Sequence, residues 1–367
     1  MQLFEQFDVK NRDNLEPQKV VVLDIMGGDG FEGPAGLIRG AEEAAHEIGA
    51  RIILVGQQQH LEDTELPYVV AEGVVEMGEK RQHGKGAGTS LRVAASLVKD
   101  GATGFASACD TGAMVTAATS RRHCLGRHGN FKTPIALTLP RALVSEPQLD
   151  RLAHTFMTDG GAFHEGWSAV DLARYGVMTS CYLNALGVDH PTMGLLTNGE
   201  ELSKGRQVDR DAYRHLADFA PSGNYRLLDG FVEGRNLIDG SVDIVITDGF
   251  TGNVALKTAE GVAAGALSSV TKHMRSADRD ERFVEEVKTD LFGMMAYFDP
   301  NAVGGGLLLG CKANAIVMHG STNSVGAKAA VLLMSRLAEM DFQPELASTL
   351  EAFEAMISNQ SVSGEPA

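Results

Sequence analysis

Short apolar runs alternate with longer amphipathic stretches from near residue 19 to near residue 340. Runs rich in β-branched residues predict strands at Lys19–Leu23, Arg51–Val55, Gly104–Ala108, Pro134–Leu139, Met193–Thr197, Tyr225–Phe231, Val242–Thr247 and Ala315–Met318. Helical spacing follows or intervenes at Ala35–Gly49, Ser90–Lys99, Thr111–His123, Gly166–Ala185, Asp209–Phe219, Gly252–Met274 and Ser324–Met340. This alternation predicts an α/β fold built on mainly parallel strands. No Pro/Ser-rich linker divides the chain, so two lobes sharing one continuous structure are expected over residues 19–340. An N-terminal extension, 1–18, precedes that unit, and a C-terminal helix with a polar tail, 341–367, follows it. Ligands of open parallel sheets bind beyond the carboxyl ends of strands. The glycine-rich strand-to-helix junctions are therefore expected to converge on one cleft.

Composition narrows the partners. A formal charge of −16 over 367 residues argues against nucleic acid as the main ligand. The four cysteines, Cys109, Cys124, Cys181 and Cys311, are far apart and form no paired motif, which reads as reduced thiols without a disulfide framework or zinc site. The first residues lack a basic start leading into an apolar core, and no apolar run nears the ~18 residues of a spanning helix. A cytoplasmic protein is expected.

Candidate chemistry gathers at the junctions. Val242–Thr247 leads through Asp248, Gly249, Phe250, Thr251, Gly252 and Asn253 into a helical pattern carrying Lys257. The unpaired N–H groups and dipole of such a helix start suit a phosphate or carboxylate. After the first strand, Asp24 is followed by Met26-Gly27-Gly28-Asp29 and Gly33-Pro34, a ligand loop or a tight structural turn, without the dinucleotide-binding glycine spacing. Lys85-Gly86-Ala87-Gly88-Thr89-Ser90 offers a cation and hydroxyls at a helix start but lacks the nucleotide-triphosphate spacing, and Ser90 serves equally as a plain cap. Thr111 and Gly112 open another helix, where Thr111 caps the helix or donates to an oxyanion. Cys109 beside them reads as a buried small residue. Glu200 and Glu201 work as acid and base, or position Lys204 to hold an anion, or form a solvated loop with it, and His319 with Ser321 is either a catalytic pair or a structural histidine. The cluster Phe292–Phe298 reads as packing, an acyl pocket or a membrane contact, and the basic group Arg121–Lys132 as a docking patch or a solvated face.

Taken in order, these segments resemble the acyl-carrier-protein:phosphate acyltransferases of bacterial phospholipid synthesis, the PlsX family. Val232-Glu233-Gly234-Arg235, then Asp243–Lys257 and Glu260-Gly261, carry the strongest likeness. Asp24–Pro34, Thr111-Gly112-Ala113, Gly199–Gly205, Leu308-Leu309-Gly310 and His319-Gly320-Ser321 add to it. The resemblance implies a two-lobed α/β fold like the isocitrate and isopropylmalate dehydrogenases and the phosphotransacetylases, forming a homodimer. It implies that inorganic phosphate attacks an acyl carrier protein thioester, without metal or cofactor, to release acyl phosphate. A membrane acyl-phosphate:glycerol-3-phosphate acyltransferase would consume that product, so peripheral contact at the inner face of the cell membrane enters as an expectation.

Such chemistry needs proximity and groups that stabilise anions, since phosphate is already charged and a thiolate leaves readily. Lys257, Asn253, His319 and Lys204 are the catalytic candidates. Gly27, Gly28, Asp29, Thr111, Gly112, Thr251, Gly252 and Ser321 are the phosphate and substrate candidates. The chain departs from the family pattern at Asp110 and Phe163, where the pattern has Asn, and around Cys311-Lys312-Ala313-Asn314. An ionised Asp110 facing phosphate would oppose binding by up to about 4 kcal/mol at ~4 Å unless a proton or cation compensates. Three further readings stand beside the main one: a phosphotransacetylase-like enzyme using acyl-CoA, a nicotinamide-dependent dehydrogenase, and a non-catalytic carrier-protein-binding paralogue.

Overall fold

The computed structural model describes residues 10, 19–49, 51–75, 88–141, 154–276, 280–295, 300–340 and 342–363. The first half runs β1 (Val20–Asp24), α1 (Gly33–Ile48), β2 (Arg51–Gly56), α2 (Gln58–Leu61), β3 (Tyr68–Val70), α3 (Ser90–Lys99), β4 (Gly104–Ser107), α4 (Thr111–Thr119), β5 (Ile135–Pro140) and β6 (His154–Thr158). It continues with α5 (Ala169–Ala185), β7 (Thr192–Leu195), α6 (Gln207–Phe219), β8 (Arg226–Leu227), β9 (Ile244–Ile246), α7 (Gly249–Ser276) and α8 (Glu281–Met295). β10 (Gly306–Leu308), β11 (Asn314–Val317), α9 (Ser324–Glu339) and α10 (Phe342–Ser363) complete it.

Among the described residues the strands form one sheet in the order β3-β2-β1-β4-β11-β10-β5-β6-β9-β7-β8. β3, β2, β1, β4 and β11 are mutually parallel, as are β6, β9, β7 and β8. Antiparallel pairings through β10 and β5 join the two blocks and reverse their direction. The register sets Leu54, Leu23, Ala106, Ile316, Leu307, Ala136, Thr158, Ile246 and Leu195 in one row across the sheet. Both parallel blocks thus reach their carboxyl ends within about two residues of a common line, and the loops that follow gather around it.

The sheet is buried on both faces, which explains the unbroken apolar strands. Val21, Leu23, Ile52 and Leu54 join a core that includes residues of α1, α5, α9 and α10. Val20, Val22, Ile53 and Val55, alternating with them, pack with α3 and α4. Phe342, Leu346, Leu350 and Phe353 of α10 belong to the first core, so that helix is part of the same packed body. No described helix is long and apolar enough to cross a membrane.

Several expectations need correction. Strands β3, β6 and β10 and helix α8 were not anticipated, and the strand expected over Tyr225–Phe231 shrinks to Arg226–Leu227. The segment Lys85-Gly86-Ala87 and most of the extension 1–18 lie outside the described residues. In the Phe292–Phe298 cluster, residues 292–295 close α8 and 296–299 lie outside the described residues.

Candidate active site

A cleft of about 350 Å³ opens where β5 and β6, the starts of α4 and α7, and the loop after β11 meet. Thr111, Asn253, Lys257 and His319, four of the expected site residues, line it together. Its opposite character comes from β5, whose alternating Ile135, Leu137 and Leu139 share one face of the strand, joined by Leu256 and Ala259 of α7. Polar and apolar side chains thus line the same cleft.

The start of α7 is built differently from the expected open anion cradle. The Asp248 carboxylate accepts the Thr251 N–H at 2.9 Å and the Thr251 hydroxyl at 2.9 Å, so it caps its own helix. The Gly252 N–H makes a helical bond to the Asp248 carbonyl. Thr251 and Gly252 therefore do not present free donors. Gly252 has another purpose: a Cβ there would lie 2.1 Å from the Asp159 carbonyl oxygen, so only glycine lets α7 seat against the loop after β6. Gly249 behaves likewise, with its missing Cβ directed at Phe163 O and Asp159 Oδ2. Asn253 follows Gly252 on α7 and packs beside Gly161.

That loop is organised by Asp159. Its buried carboxylate accepts N–H bonds from Ile135, Gly161, Ala162 and Phe163 at 2.9–3.0 Å. Burial pushes this carboxyl up, and the four donors pull against it. Phe163, a departure from the family pattern, contributes its backbone N–H to this loop.

At α4 the same device recurs. Asp110 Oδ1 accepts from the Gly112 and Ala113 N–H groups at 2.9 and 3.1 Å. Gly112 is thus committed to the cap and is no free anion donor, whereas Thr111 stays on the cleft wall. Asp110 lines the cleft as well.

Lys257 Nζ pairs with Glu260 Oε2 at 2.9 Å on the cleft wall. His319 Nδ1 lies 2.7 Å from Ser321 Oγ and 3.3 Å from the Ser321 N–H. Both contacts are satisfied when Nδ1 accepts, which assigns the proton of the neutral ring to Nε2. Ser321 thus orients His319 and is absent from the cleft lining. Gly27, Gly28 and Asp29 are also absent from it, but they hold the histidine loop: Asp29 N–H donates to Gly320 O at 2.8 Å, and a Cβ on Gly28 would meet that oxygen at 2.5 Å.

Lys204 is exposed on the loop after β7 and does not line the cleft. Its neighbour Arg206 binds Asp209 at 2.7 Å and Asp248 at 2.8 Å, which holds that guanidinium further into its charged range. Cys109 is buried, and burial pushes its thiol up to about 12, against a nucleophilic role. Sequence reasoning missed His154 and His164, which line the cleft with His319. His154 sits at the start of a strand too weakly patterned to anticipate, and His164 in a loop. Burial and the nearby Arg141 charge hold His154 below the usual histidine range. Among the described residues, no group of three or more His, Cys, Asp or Glu side chains is placed to hold a metal ion.

Comparison with known proteins gives concordant findings. Residues 19–344 match the model of a family described as "Fatty acid synthesis protein". The chain is 34% identical to the phosphate acyltransferase of Paracoccus denitrificans (strain Pd 1222), over 90% of this chain and 89% of that one. It is 31% identical to the phosphate acyltransferase of Thermobifida fusca (strain YX), over 87% of each. Its fold resembles the EutD phosphotransacetylase from Staphylococcus aureus, with a TM-score of 0.54 at 13% identity over 89% of this chain and 97% of that one. A branched-chain phosphotransacylase from Enterococcus faecalis V583 gives 0.52 at 15% identity, over 88% and 99%.

Proposed function

The chain belongs to the fatty acid synthesis protein family, and from that premise we propose that it transfers an acyl group from an acyl carrier protein thioester to inorganic phosphate. The relatives named phosphate acyltransferase support the reaction class. One observation carries the reading for this chain: a single cleft joins Thr111, Asn253, Lys257 and His319 to an apolar wall from β5 and α7. The polar side chains suit phosphate and the apolar ones suit an acyl chain.

With the Gly112, Ala113 and Thr251 N–H groups held by Asp110 and Asp248, side chains carry the anion. Lys257 Nζ, the Asn253 amide and the Thr111 hydroxyl hold phosphate against the thioester carbon. A phosphate oxygen attacks that carbon, the new O–C bond forms, and the C–S bond breaks with its electron pair on sulfur. The proton of hydrogen phosphate ends on that sulfur, giving acyl phosphate and a free thiol. His319 Nε2–H stabilises the developing oxyanion or the departing sulfur.

On this reading the enzyme is a cytoplasmic homodimer that hands its product to a membrane acyl-phosphate:glycerol-3-phosphate acyltransferase, with peripheral contact at the membrane. Val262 and Val270, exposed at 66% and 43% along α7, support a partner on that helix. The test combines purified protein, acyl carrier protein thioester and phosphate, and traps acyl phosphate with hydroxylamine. Parallel reactions with CoA thioester separate the carrier-protein reading from the CoA one. Absence of phosphate-dependent thioester loss with either donor would refute the assignment.

A further inference from the structure

We propose that Asp110 sets the anion specificity of this cleft: it accepts a hydrogen bond from the hydroxyl of hydrogen phosphate and thereby rejects sulfate. The inference rests on the acyl-transfer reading and deepens it. Asp110 caps α4 with one oxygen alone, since the Gly112 and Ala113 N–H groups both go to Oδ1. Among the described residues Oδ2 accepts no hydrogen bond, and the residue lines the cleft next to Thr111. A carboxylate is an acceptor only, so its spare oxygen can meet an oxyanion favourably only through a proton carried by that ion.

The lysine of the wall brings no net charge to offset Asp110. Lys257 is paired with Glu260, so these two cancel on the same wall. A fully deprotonated tetrahedral dianion would meet Asp110 as a like charge. Inorganic phosphate at neutral pH always keeps at least one proton, whereas sulfate keeps none. The phosphate O–H donates to Asp110 Oδ2, while its unprotonated oxygens face Lys257, Asn253 and Thr111. A site built to bond a ligand hydroxyl discriminates strongly against an analogue lacking it.

The measurement is equilibrium titration of inorganic phosphate, arsenate and sulfate into the full-length protein and its Asp110→Asn variant. Arsenate resembles phosphate in shape and protonation, so it tests the wild-type protein without relying on a variant. In the wild type, arsenate should compete with phosphate and sulfate should bind about 10²-fold more weakly than phosphate. Asn caps a helix as well as Asp does, so Asp110→Asn should fold normally, and its phosphate-to-sulfate ratio should fall to within about tenfold. A ratio unchanged by the substitution, or wild-type protein that binds sulfate as well as arsenate, overturns the assignment of Asp110. No phosphate binding by either protein overturns the acyl-transfer reading itself, and the role of Asp110 falls with it.

Discussion

Replacing Gly252 by alanine should damage both stability and phosphate use. The new Cβ would lie 2.1 Å from the Asp159 carbonyl oxygen and 2.9 Å from Thr247 Cγ2. A backbone carbonyl cannot rotate away, and this one belongs to the residue whose carboxylate gathers four N–H groups. Restoring ordinary contact at 3.4 Å requires the start of α7 to withdraw by about 1.3 Å. Overpacking of this kind costs about 1–3 kcal/mol, and the better helix propensity of alanine returns up to about 1 kcal/mol. A net loss of about 1–2 kcal/mol should appear in urea unfolding as a lower midpoint with unchanged slope. The kinetic effect should be larger, because Asn253 is the next residue and Lys257 lies about one turn further along α7. A misplacement of ~1 Å can cost about 10²-fold in rate, and the loss should appear in phosphate-dependent kcat/KM. Gly234→Ala is the control, since a Cβ there meets nothing within 4 Å; it should be neutral or stabilising by about 0.4–1 kcal/mol. A Gly252→Ala protein with wild-type midpoint and kinetics would refute the packing role given to this glycine.

Other perturbations probe charges around the same region. Lys257→Met should lower phosphate-dependent kcat/KM by roughly 10²-fold, whereas Glu260→Gln, which frees that lysine, should lower the KM for phosphate about 3-fold in initial-rate assays. The Arg141–Asp243 pair is 2.6 Å long, with side chains only 5% and 13% exposed, so Asp243→Asn should destabilise by about 3–5 kcal/mol in equilibrium unfolding. Burial pushes Asp243 up, but Arg141 and Thr192 outweigh it and hold the carboxyl below the ordinary aspartate value of 3.8. Its contribution is therefore complete above that value and disappears as pH falls through the lower folded value, so the variant should show a shallower acid limb. His154 is likewise depressed in the fold, by burial and then Arg141, from the ordinary histidine value of 6.5. Stability should decline as pH falls from that value through the folded one, and His154→Gln should flatten this part of a melting-temperature profile.

Legibility in the sequence followed the strength of the local pattern. Val20–Leu23 and Ile52–Val55 are apolar throughout because both sheet faces are covered, and such runs stand out. His154–Thr158 reads His-Thr-Phe-Met-Thr, with no sustained alternation, and becomes a strand because β5 and β9 pair with it on either side. Gly306–Leu308 follows two glycines at positive φ and looks like a loop until β11 and β5 flank it. The site obeyed the same division. Asn253, Lys257, Thr111 and His319 share one cleft because they belong to segments that follow strands, and the fold gathers those segments. His154 and His164 carry no such local mark.

The junctions at Asp110, Asp159 and Asp248 show that glycine-rich segments after strands can spend their N–H groups on an internal carboxylate. A free helix N-terminus and one capped by its own carboxylate look alike in sequence, since both combine glycine, threonine and an acidic residue. Asp248 uses its oxygens on Thr251, and Asp159 spends both on loop N–H groups. Their negative charge already occupies the place an external anion would take. Asp110 differs by a single oxygen: Oδ1 completes the cap, Oδ2 accepts no bond among the described residues, and the residue lines the cleft. A third internal counter-charge would only repel phosphate. A half-used carboxylate beside Thr111 converts that repulsion into a requirement for a protonated ligand. Sulfate affinity, more than phosphate affinity, is therefore the quantity that separates a vestigial cap from a selective site.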